Sequence, residues 1–191
     1  MKKLNIIALA VMVSAMLWSN VEARPKTGFG LFGGVASHSA DGKFRFSPIT
    51  KFSYSSSGLS IGIDYQFAIG ENISFNPFLV SSFEDTRGDL VSGVAARHDI
   101  LGIQMRFWVE DIFFGGHVGA YDEFLFGASV TNTSGTGAGF GIIAGLELDS
   151  GVIFSVQYDI FNVKYSDAKV DLTGVRIHAG FRWGGKGSSS R

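Results

Sequence analysis

No cysteine occurs anywhere in the 191 residues, which excludes disulfides, thiolate metal centres and a lipid anchor carried on a cysteine. Only 3 prolines interrupt the chain, in keeping with one domain, and a formal charge of −1 gives no sign of a nucleic-acid partner. Beyond residue 23 no run of eighteen consecutive apolar residues is found, which argues against membrane-spanning helices. Apolar spacing of the helical kind is missing as well. A hydrophobic fraction of 46% with 17% charged residues would suit a well-cored soluble protein, yet the apolar residues fall at every second position.

What is present begins with a secretory signal. Lys2 and Lys3 precede an uncharged run over 4–17 and the small-residue site Val21-Glu22-Ala23. A cleavable signal peptide is expected over 1–23, leaving one domain over 24–191. The mature chain is rich in glycine (26) and phenylalanine (18).

Period-two alternation then predicts eight strands, at 27–38, 58–67, 73–83, 98–108, 112–124, 137–148, 152–165 and 172–183. The second is the clearest: Leu59, Ile61, Ile63, Tyr65 and Phe67 share one face, and Ser60, Gly62, Asp64 and Gln66 the other. Short connections at 68–72, 109–111 and 149–151 alternate with longer polar ones at 39–57, 84–97, 127–136 and 166–170. An even strand count with this asymmetry fits an all-β, eight-stranded antiparallel transmembrane β-barrel, with short turns and both termini on the periplasmic side of an outer membrane. Such a sheet has to close, since open edges leave unpaired backbone groups in lipid. The last strand is therefore expected to pair with the first.

A soluble lipocalin-like barrel shares the strand number and reverses the faces. Large aromatics near strand ends, Phe67, Phe83, Phe107, Phe181 and Trp183, favour a membrane girdle. The opposite faces place Asp64, Arg106, His117, Glu123, Glu147, Asp159, Arg176, His178 and Arg182 in the lumen. Opposite charges in so narrow a space are expected to form a hydrogen-bonded plug. The alternative is a narrow porin-like channel for ions or small solutes, whose conductance would shift on replacing Arg106 or Arg176.

The run Gly58-Leu-Ser-Ile-Gly-Ile-Asp-Tyr-Gln-Phe67, its short turn and the ending Phe181-Arg182-Trp183 resemble the small outer-membrane β-barrel superfamily (opacity-type porin, OmpA/OmpX-like). The resemblance covers nearly the whole mature chain and rests on alternation rather than invariant residues. It implies that Val175, Ile177, Phe181 and Trp183 are an assembly signal read by the barrel-assembly machinery. Residues 184–191 depart from the pattern by continuing past the closing aromatic. Some barrels of this size modify lipid A as acyl hydrolases or transferases, with His and Ser two apart on one strand. Here Gly119 follows His117 and Gly180 follows His178 at that spacing, so neither supplies a nucleophile beside a base.

No phosphate-binding loop and no metal-ligand cluster is visible in the spacing, and no cofactor is expected. Lys43, Arg45 and Lys51 give the connection at 39–57 a positive charge suited to anionic lipopolysaccharide. The reading is a monomeric, non-enzymatic outer-membrane barrel with a structural or surface-interaction role, surrounded by membrane lipid and lipopolysaccharide, its extracellular ligand unidentified.

Overall fold

Alternation carries directly into a single closed ladder. In the computed structural model, which describes residues 25–45, 51–88, 94–127 and 130–184, eight strands follow one another. They are β1 (Gly28–Phe44), β2 (Lys51–Ala68), β3 (Ile73–Gly88), β4 (Ala95–Val109), β5 (Ile112–Gly127), β6 (Val130–Glu147), β7 (Val152–Lys164) and β8 (Ala168–Trp183). Each pairs antiparallel with its neighbour, and β8 returns to β1 through a register running from Phe29↔Trp183 to Phe44↔Ala168. No edge remains, so every strand has a partner on both sides. The expected signal peptide and the tail beyond residue 184 lie outside the described residues.

The two faces settle the choice between a soluble and a membrane barrel. Outward residues Leu59, Leu101 and Val118 are 61–70% exposed, while inward Gln66, Glu123 and Asp159 are at 0%. Burying apolar groups is what stabilises a protein in water, so a soluble barrel would not leave its largest aliphatic side chains outside and its carboxylates inside. On the outer wall the apolar band covers nine residues on β2 (Leu59 to Phe67) and on β8 (Val175 to Trp183) and seven on β1, close to the length a tilted strand needs to cross a bilayer. On β1 it runs from Phe29 to Val35 and then yields to Ser37, Ser39, Asp41 and Lys43; on β8 it runs from Trp183 to Val175 and yields to Thr173, Asp171 and Lys169.

Aromatic residues collect at the short-turn edge of that band. Trp183 stacks on Phe29 at 6.3 Å and meets Phe181 edge-on at 5.1 Å, and Phe67 lies 4.6 Å from Tyr65 between ring centroids. Phe107 is on the same edge. Phe83, expected in the same girdle, stands on the opposite edge, where the Arg97 guanidinium lies 5.8 Å over its ring.

The turns at this end are tight for identifiable reasons. Gly151 adopts φ 90, and Glu110 takes the left-handed region at φ 55 within a two-residue turn, one residue shorter than expected.

At the other end the strands outrun the sequence reading. The polar segments 39–57, 84–97, 127–136 and 166–170 were expected as loops, but β1 reaches Phe44, β2 starts at Lys51, β3 reaches Gly88, β4 starts at Ala95, β6 at Val130 and β8 at Ala168. Polar residues there still alternate, and ladder hydrogen bonds need no apolar face once the strand has left the bilayer. The asymmetry between the ends is therefore one of overhanging hairpins.

Candidate functional site

Inward side chains form layers along the barrel axis. Nearest the short turns, β2 supplies Asp64, β4 Arg106, β6 Glu147 and β8 Arg182. Arg106 Nη2 lies 2.7 Å from one Asp64 oxygen, Arg182 Nη1 2.9 Å from the other, and Arg182 Nε 3.1 Å from Glu147. Two guanidinium groups thus meet two carboxylates. Gln104 accepts from Arg106 at 2.7 Å, and Asn76 donates to Gln66 at 2.9 Å. Gly30 makes room: a Cβ there would sit 2.3 Å from Asp64 Oδ1. Trp108, Phe113, Ile143 and Ile153 pack together at this end of the lumen. The Trp108 indole N–H donates to Ser74 Oγ at 3.0 Å, and Arg106 lies 4.7 Å over the Phe113 ring.

In the middle layer Asp159 is held 2.7 Å from Arg176 Nη2 and 2.9 Å from His117 Nε2. Gln157 Nε2 is 3.1 Å from His117 Nδ1, and Phe78 meets the His117 ring edge-on at 5.5 Å. Ser60 Oγ lies 2.9 Å from His178 Nε2. This Ser–His contact joins β2 to β8 across the lumen, so the two-residue spacing along a strand could not show it. Both partners are buried and the His178 ring packs on Phe32 at 5.0 Å, leaving no room beside the hydroxyl for an acyl substrate.

The third layer, toward the overhanging hairpins, differs in kind. Both oxygens of Glu84 lie near His38 Nδ1, at 2.8 and 2.9 Å, and Glu84 also accepts from Ser56 at 2.5 Å and Ser82 at 2.7 Å. His98 has Nδ1 2.5 Å from the Tyr121 hydroxyl and 3.9 Å from Glu84, and Nε2 3.5 Å from Glu123. Tyr54 donates to Glu123 at 2.6 Å, and Tyr165 donates to its other oxygen. The two imidazoles face each other at 4.7 Å. Around them runs an apolar sleeve that includes Ile100, Leu125, Phe161, Val163, Val170 and Leu172, a stretch of lumen the expected polar interior did not include.

All nine lumen residues chosen from the sequence are buried inside the barrel. Asp64, Arg106, Glu147 and Arg182 converge in the first layer, His117, Asp159, Arg176 and His178 share the second, and Glu123 stands in the third. His38, Glu84, His98 and the tyrosines around them were not among them. Their signal was the unbroken inward phase Ala36, His38, Ala40 and Ser82, Glu84, Thr86, which runs on through segments whose polar composition suggested loop. Val175, Ile177 and Trp183 face outward on β8, with Phe181 half-buried between them.

The fold is that of the small outer-membrane barrels. The outer membrane protein OprG from Pseudomonas aeruginosa superposes with a TM-score of 0.53 at 13% identity, over 86% of this chain and 100% of that one. Neisserial surface protein A gives 0.50 at 12%, over 83% and 99%. No protein-family model matches the sequence, and no curated protein matches it. At such identities the likeness carries the architecture, and chemistry has to be read from this barrel's own residues.

One more arrangement stands outside the wall. Lys43 on β1 is directly opposite Lys51 on β2 and Lys169 on β8, and Lys169 is opposite Lys164 on β7. Four ammonium groups therefore form one lateral row above the apolar band, with Asp41 and Asp171 facing each other one step below. Like charges directly opposite on neighbouring strands are destabilising. None of the four lysines makes an ion pair among the described residues, and an open cleft of about 910 Å³ is lined by Lys43, Arg45, Lys51 and Lys169.

Proposed function

We propose that this protein is an outer-membrane barrel with a sealed lumen, both termini in the periplasm, which acts at its outward rim by holding the anionic headgroups of lipopolysaccharide. The observation that carries this reading is the row Lys51, Lys43, Lys169 and Lys164, paired strand to strand on the polar wall that overhangs the apolar band. Anionic groups that lipopolysaccharide carries above the lipid surface would neutralise a row that otherwise repels itself. The overhanging hairpins then face outward and the tight turns face the periplasm, in the manner of transmembrane barrels.

A structural role is supported by the interior. An eight-stranded barrel is just wide enough for its side chains to fill it, and here three layers cross-link β1 through β8. A path for ions would have to open paired charges at the first two layers. Catalysis is disfavoured by the enclosure of the Ser60–His178 pair. The outward face of β8, with Val175, Ile177, Phe181 and Trp183, is suited to recognition by the barrel-assembly machinery during insertion.

Reconstitution tests both parts. In planar bilayers the purified protein is expected to give no conductance steps; reproducible steps would defeat the sealed lumen. Vesicles containing lipopolysaccharide should retain the protein's rim in a protease-protected form relative to neutral phospholipid vesicles, and K43E with K169E should abolish the difference. Equal protection in both vesicle types would sink the rim reading.

A further inference from the structure

The third layer has an electrostatic deficit that the other two lack. Asp64 and Glu147 are matched by Arg106 and Arg182, and Asp159 by Arg176, all at 2.7–3.1 Å. Glu84 and Glu123 are both buried, yet among the described residues the ion pairs they form are with His38 and His98 alone. An unbalanced carboxylate in a dry interior is costly, and a buried charge is normally paired or bound to a metal.

We propose that His38, Glu84 and His98 bind one divalent transition-metal ion of the zinc class. One ligand atom from each lies within 4.8 Å of the others, and Glu84 Oε1 is 2.8 Å from His38 Nδ1 and 3.9 Å from His98 Nδ1. Ligand atoms at about 2.0–2.2 Å from a tetrahedral ion stand roughly 3.3–3.6 Å apart, so these separations bracket the required one. Two imidazoles and a carboxylate are a donor set that suits zinc and its first-row neighbours, and disfavours calcium and magnesium.

The surroundings match the second requirement of such a site. Glu123 faces His98 Nε2 at 3.5 Å, on the opposite side of the ring from Glu84. A carboxylate on that side favours the tautomer with hydrogen on Nε2, which leaves Nδ1, now 2.5 Å from the Tyr121 hydroxyl, as the ligand atom for an ion. Ser56 and Ser82 in turn hold Glu84. His38 Nε2 and His98 Nε2 are buried without a hydrogen-bond partner. Gly174 keeps the site open, because a Cβ there would lie 2.0 Å from the His38 ring.

A route leads in from the hairpin end. A cavity of about 270 Å³ is lined by Tyr54, Leu125, Tyr165 and Val170, and the hydroxyls of those two tyrosines rest on Glu123. On binding, the ion takes the place of the hydrogen between His38 Nδ1 and Glu84, and a neutral imidazole then carries its hydrogen on Nε2. This assignment is independent of what the lysine rim binds.

Tag-free protein, folded in detergent and stripped with chelator, is titrated with Co²⁺ and then Zn²⁺. One equivalent of Co²⁺ is expected to give visible d–d absorption of a four- or five-coordinate ion, and Zn²⁺ to displace it. His98→Gln and Glu84→Gln should each weaken binding by about 100-fold or more, while His117→Gln, a change to a buried imidazole outside the layer, should not. Heat-modifiable gel migration checks that each variant is folded; His38→Gln replaces any that is not. Less than half an equivalent on folded wild-type protein, no colour, or an equal loss with His117→Gln would overturn the proposal.

Discussion

The two ends of the lumen solve the same problem differently. Toward the short turns, arginine answers carboxylate one for one, with Asp64 taking a guanidinium on each oxygen. Toward the hairpins, Glu84 and Glu123 are surrounded by imidazole, hydroxyl and an apolar sleeve. An arginine is charged at any biological pH, so the first layer is locked. An imidazole nitrogen can hold a hydrogen or a metal ion in the same place, so the third layer keeps a choice. What distinguishes the halves is the chemistry of the counter-charge, since both are equally buried.

A matched pair of isosteric changes is the strongest way to break that comparison. Asp64→Asn leaves Arg106 and Arg182 with Glu147 as their only anion and is expected to cost about 3–5 kcal/mol, as for removing one partner of a buried ion pair. It should appear as a large drop in the urea midpoint followed by tryptophan fluorescence. Glu123→Gln strands no arginine, keeps an acceptor for one of Tyr54 and Tyr165 and can donate its amide N–H to the hydroxyl of the other, so a loss of about 1 kcal/mol is expected. Equal losses would erase the distinction.

Between these in size, Gly174→Val drives a side chain into the His38 ring and should cost roughly 1–3 kcal/mol by overpacking, with the effect confined to the third layer. Trp108→Phe removes a single hydrogen bond to Ser74 and should cost about 1 kcal/mol. Smallest of all, Lys43→Ala should change stability by no more than about 0.5 kcal/mol, and in the stabilising direction, because it relieves two facing lysines. A clear loss of stability in lipid-free detergent would mean that the row is a structural feature of the wall.

Much of the barrel was legible because the membrane imposes period two on both faces at once. Leu59 to Phe67 could be read only as a strand with one lipid-facing side, and the eight-strand count followed from repeating that pattern. Legibility stopped where the outer face turned polar. Ser53, Ser55 and Ser57 look like loop, yet they lie in β2, since a ladder above the lipid no longer needs an apolar wall. The same break concealed half of the interior. Asp64 and Arg106 were identifiable from their place in clean strands, whereas His38 and His98 stand at the very ends of their expected strands, Glu84 lies in a strand extension, and the three meet only through a register set by sheet closure. The row of lysines has the same origin. Lys43 and Lys51 stood out as charge in one connection, but Lys164 and Lys169 did not, and the four are adjacent only across three strand pairs.

Arg182 belongs to two structures at once. It lies on the last strand, beside the seam with β1, where its Nη1 donates to the carbonyl of Gly28 at 3.0 Å, and the same guanidinium reaches Asp64 and Glu147. Residues 154 apart in sequence are joined there, among the slowest contacts for a chain to make. Until β8 arrives, Asp64 has Arg106 as its ion-pair partner among the described residues and Glu147 has none. Zipping the wall and neutralising the interior are consequently one kinetic event. A chain that stalls one strand short carries both an open edge and an excess of negative charge, two marks by which an unfinished barrel differs from a finished one.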